Sequence, residues 1–97
     1  MRTLRITLTG DYLVAKVGIN SHSHDPVDGC VQIPVAAGTP IALVVHLSGS
    51  PGFHYTVDAT TEVGCRVEGE QAQYPTAELQ VAGSEDTFLD TLTVHCE

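Results

Sequence analysis

Tryptophan is absent from this chain, and bases are scarce: four Lys and Arg stand against twelve Asp and Glu. The formal charge of −8 makes nucleic acid and anionic membrane poor partners for the surface as a whole. No apolar run approaches the ~18 residues of a membrane-spanning helix. Aromatic residues are 5 %, which leaves few platforms for stacking sugar rings and argues against a carbohydrate-binding module. Internal repeats, low-complexity tracts and a helical apolar period are all missing. So are a P-loop and a dinucleotide fingerprint. The Ser50 segment is no nucleophile elbow, because Ser48 stands where the first glycine is required.

What is present is alternation. Ile41, Leu43, Val45 and Leu47 fall on one side of an extended chain, and Phe53, Tyr55, Val57 and Ala59 do so after a Ser-Gly-Ser-Pro-Gly break. This reads as a long central hairpin over residues 41–59, with Leu47 facing Phe53 and His46 facing His54. Leu4, Ile6 and Leu8 alternate with Thr and Arg. Gly10-Asp11 is then a two-residue turn, and Leu13, Ala15, Val17 and Ile19 alternate on the return. In that register Leu8 meets Leu13, Ile6 meets Ala15, Leu4 meets Val17, and Arg5 lies opposite Lys16. Residues 20–29 read as a polar loop. Short strands follow around Val31, Ile33 and Val35; around Val63, Cys65 and Val67; around Ala77, Leu79 and Val81; and around Leu92, Val94 and Cys96. Asp90 falls in the inward phase of the last strand, which predicts a bulge near Leu89-Asp90 or a later strand start.

About eight Val- and Thr-rich strands in 97 residues predict one all-β domain spanning residues 1–97. The favoured architecture is a two-sheet antiparallel β-sandwich of immunoglobulin-like type, with a small jelly roll or barrel as the alternative. The apolar residues alternating with Thr after Arg2 and Arg5 are unlike the continuous apolar block of a signal peptide. That predicts a cytoplasmic protein with reduced thiols. Cys65 and Cys96 are in inward phase, whereas Cys30 is out of phase with its strand and is the expected reactive thiol.

Three groups are candidates for function. Arg2, Arg5 and Lys16 hold three of the four bases, while residues 68–97 hold acids and no base; this points to a basic surface meeting a protein partner or a second copy. His22-x-His24 precedes Asp25, Asp28 and Cys30, a set of donors suited to zinc or another divalent transition metal. His46 and His54 form the second His pair. The string His22, His24, Asp28 and Pro51-Gly52-Phe53-His54 resembles the metal motifs of cupins, and that resemblance implies a jelly roll with His22, His24 and His54 as ligands. The composition and the missing catalytic motifs favour a non-catalytic protein-binding or assembly module without a cofactor, of structural, adhesin-like or inhibitor type. The alternative is a cupin-like metal-binding protein or metal-dependent enzyme.

Overall fold

The computed structural model describes residues 1–96. Nine strands run in the order β1 (Arg2–Gly10), β2 (Val14–Ile19), β3 (His22–His24), β4 (Cys30–Val35), β5 (Ile41–Ser48), β6 (His54–Thr61), β7 (Cys65–Gly69), β8 (Leu79–Gln80) and β9 (Glu85–Cys96). They form two antiparallel sheets, one of four strands in the order β4-β1-β6-β8 and one of five in the order β3-β2-β5-β9-β7. Among the described residues there is no helix long and apolar enough to cross a membrane.

The sheets bury the faces that alternation selects. Leu4, Ile6, Tyr55 and Val57 come from one sheet; Val17, Leu43, Val45 and Leu92 come from the other, and all are 2 % exposed or less. Leu13 and Val63 depart from expectation at 70 % and 103 % exposure, because both lie in crossings outside the strands.

Two expected hairpins are overturned. β1 pairs with β4 and β6, and β2 pairs with β3 and β5, so the chain at Gly10-Asp11 crosses between sheets. Leu8 therefore pairs with Val57, and Arg5 lies between Gln32 and Thr60 instead of facing Lys16. Gly10 is required by this crossing: its φ is 123°, and a Cβ there would overlap the His54 carbonyl oxygen and come within 2.7 Å of Tyr55 Cα. β5 and β6 likewise belong to opposite sheets, so His46 faces Lys16 and Thr87, while His54 faces Gln80. Only β2 and β3 are both consecutive and paired; every other connection changes sheet.

The expected bulge at Asp90 is also absent. β9 pairs continuously with β5 from Glu85 to Leu92, and Asp90 faces inward at 6 % exposure. Its carboxylate accepts the Gln71 N–H at 2.8 Å, the Ala72 N–H at 3.3 Å and the Tyr74 hydroxyl at 2.6 Å. The strand therefore keeps its phase because a loop brings donors to the charge. β8 is only two residues long, so the loop before it closes that flank of the sandwich. Four residues earlier on the same face, Asp86 accepts the Tyr55 hydroxyl across the core at 2.6 Å.

Burial, then the hydrogen bond and charge of the facing Asp, push the Tyr55 and Tyr74 hydroxyls well above the ordinary phenol range. The folded chain therefore holds these protons more tightly than the unfolded chain, where tyrosine titrates near ~10. Stability from this source is whole below pH ~10 and is lost as pH rises further, at up to about 1.4 kcal/mol per pH unit per tyrosine. Urea titrations between pH ~9 and ~12 are expected to show this decline, and to show less of it in Tyr55→Phe and Tyr74→Phe. Variants that retain the full wild-type slope would contradict the assignment.

Cys65 and Cys96 are directly opposed on β7 and β9 and are joined by a disulfide. This overturns the expectation of free thiols, which rested on a cytoplasmic compartment; both residues keep their inward phase, and the β7–β9 pairing brings the sulfurs together. The bridge spans 31 positions of sequence, which in the chain-entropy model stabilises the fold by about 3–4 kcal/mol. Cys30 is the free cysteine among the described residues; it is half-buried and accepts the Thr7 hydroxyl at 3.9 Å.

Candidate functional site

Two surfaces carry the candidate residues. The first is a cleft of about 630 Å3 at one flank of the sandwich, lined by residues of β2, β3 and β4 and the start of β5. Residues 20–29 contain more structure than a polar loop. Asn20 and Ser21 take φ values of 51° and 70°, a two-residue turn with both central residues left-handed. The Asn20 side chain accepts the Ala42 N–H at 3.0 Å and ties this turn to β5. The resulting strand pairs His22 with Ile19 and His24 with Val17. Since Ile19 and Val17 are buried, both imidazoles stand on the core-facing side of β3. They meet the cleft beside the apolar walls of Ile19, Ile33 and Val35.

A second tight turn follows at Asp28-Gly29, where Val27 and Cys30 exchange backbone hydrogen bonds of 3.0 Å. An Asp-Gly step between apolar residues is a strong hairpin signal, and it was legible in the sequence. Asp28 is thereby held at an exposed turn, and Asp25 is paired with Lys16 at 2.6 Å. That contact, first by its hydrogen bond and then by the ammonium charge, lowers the Asp25 carboxyl below its usual range.

The other histidines lie on outer faces and are engaged there. His46 is 3.0 Å from the Thr87 hydroxyl, His54 is 3.0 Å from Glu78, and His95 is 3.1 Å from Glu68. The Glu68 carboxyl is held below its usual range, first by the hydrogen bond from Arg66 and then by the charge of His95. His54 and the His22–His24 pair belong to different sheets, so the ligand set that cupin resemblance implies is not assembled. Among the described residues, no three His, Cys, Asp or Glu side chains come together.

The basic trio is dispersed as well. Arg2 and Arg5 lie on β1 and Lys16 on β2, in different sheets. Arg2 pairs with Glu62 at 3.5 Å, and Arg5 donates to the Gln32 side chain at 3.0 Å.

The second surface is the outer face of the five-stranded sheet, which sequence reasoning passed over. Gly18, Val44 and Leu89 form one row across β2, β5 and β9. Val44 is 38 % exposed and Leu89 is 61 % exposed. The neighbouring row is Lys16, His46 and Thr87. Glu68 and Glu70 are exposed on the β7 side, at the opposite edge from Lys16. The signal in the sequence was apolar residues in outward phase: Val44 between two core positions and Leu89 beside Phe88. No protein family, curated protein or solved structure matches this chain.

Proposed function

We propose that this domain is a non-catalytic assembly module, and that the outer face of its five-stranded sheet docks against a second copy of the chain. The supporting observation is the row of Gly18, Val44 and Leu89, whose two side chains are exposed apolar groups flanked by Lys16, His46 and Thr87. That is the anatomy of a protein interface, since a flat apolar patch gains most by excluding water from another flat surface. The charges favour self-pairing. Lys16 lies toward the β2 edge of this face, and Glu70, just after β7, lies at the opposite edge. A two-fold axis lying between the copies and running along the strands sets the Lys16 edge of each copy over the Glu70 edge of its partner. The immunoglobulin-like comparison extends, in this reading, to two packed antiparallel sheets and no further. The Cys65–Cys96 bridge favours an oxidising compartment over the cytosol.

Sedimentation equilibrium tests the reading. The wild-type chain is expected to dimerise, and Leu89→Arg is expected to weaken the dimer by about tenfold or more while melting cooperatively as before. Lys16→Glu is expected to weaken it less, with the difference shrinking at high salt. A wild-type chain that stays monomeric at high concentration, or a dimer untouched by Leu89→Arg, would overturn the proposal.

A further inference from the structure

Histidines 22 and 24 are set apart from the other three by what they touch. His46, His54 and His95 each lie against a threonine or glutamate side chain, whereas among the described residues His22 and His24 make no side-chain hydrogen bond or ion pair. Both project from the same side of β3, two positions apart. Along a strand that is a separation of about 6.6 Å at the backbone, from which two imidazole rings can turn their nitrogens onto one ion. The cleft they enter is also lined by Met1, whose side chain is 92 % exposed and therefore free to swing onto an ion held between the rings.

The donor set and its surroundings choose among metals. No carboxylate or thiolate joins the two imidazoles, so all ligands are neutral. A divalent ion would keep its whole double charge beside Ile19, Ile33, Val35 and Ile41, and an apolar wall penalises charge steeply. A monovalent ion suffers much less, and thioether sulfur is a ligand selective for Cu(I). We propose that His22, His24 and the Met1 thioether form a Cu(I) site at the mouth of this cleft. It is independent of the sheet face assigned to self-association.

The test is anaerobic titration with Cu(I) against a chromophoric Cu(I) chelator. Cys30 is a competing soft donor, so the Cys30→Ser chain is titrated beside the wild type. Both are expected to take up one Cu(I) with similar affinity. His22→Gln and His24→Gln in the Cys30→Ser background are each expected to lose at least the roughly 10–100-fold that even an outer-shell change costs a metal site. Both residues lie on a three-residue edge strand, so unchanged melting of the variants separates ligand loss from misfolding. X-ray absorption of the copper-loaded chain is expected to show nitrogen and one sulfur scatterer, and Zn(II) alone is expected to bind more weakly than Cu(I). Uptake that vanishes in Cys30→Ser, variants that bind like their parent, tighter binding of Zn(II), or copper without a sulfur neighbour would each overturn the assignment.

Discussion

Asp90→Ala is expected to lower the stability of the domain by about 3–5 kcal/mol, out of the ~5–15 kcal/mol that holds a typical domain. The carboxylate accepts the Gln71, Ala72 and Thr91 N–H groups and the Tyr74 hydroxyl, so alanine leaves four donors without this acceptor. A part-buried donor without an acceptor costs about 1–3 kcal/mol, and those that reach water recover part of it. Asp90→Asn keeps the shape and one acceptor oxygen but turns an amide NH2 toward other donors, so its cost should fall between alanine and wild type. Gly69 packs against the same carboxylate, and a Cβ there would overlap Asp90 Oδ2 and the Ala72 carbonyl oxygen. Urea denaturation measures the loss, and hydrogen exchange at the Gln71 and Ala72 amides locates it. A midpoint close to wild type, with those two amides still protected, would show that the loop is held by something other than Asp90.

Val45→Asp is expected to unfold the domain outright. Val45 is 0 % exposed and lies between Val17 and Phe88 in the middle of the five-stranded sheet. Nothing like the Asp90 loop reaches it, so the carboxylate would be buried without donors, at a cost of several kcal/mol. Val44→Asp is the control. It alters the adjacent residue, which faces solvent, and should stay within about 0.5 kcal/mol of wild type while weakening self-association. Circular dichroism and thermal melts distinguish the two. A soluble, cooperatively melting Val45→Asp chain, or an unfolded Val44→Asp chain, would invert the assigned strand phase.

Strand phase was the part of this protein that its residues specified directly. The alternating Leu4, Ile6 and Leu8, and the alternating Ile41, Leu43, Val45 and Leu47, face inward as read, because successive side chains of a strand must point to opposite faces. Phase does not name a neighbour. Leu8 can bury itself against Leu13 in a hairpin or beside Val57 in a sheet, and a period of two is identical in both. Pairing is decided between segments far apart in sequence, where only the joint packing of two sheets selects among registers. This is why His46 and His54 were legible as outward-facing but not as partners of Thr87 and Glu78. Cys65 and Cys96 differ: reduced thiols were expected from the cytoplasmic reading, and the β7–β9 pairing that sets the two sulfurs side by side is what joins them.

Asp90 shows the converse case. The alternation placed it inward, and the cost of a buried charge argued for a bulge instead. The tertiary structure kept the phase by delivering donors from residues 71, 72 and 74. The H-x-H motif was visible from its spacing alone. Its opening into an apolar cleft depended on a tight turn at Asn20-Ser21 and on β4 packing from the other sheet, because the apolar walls of this cleft come from both sheets.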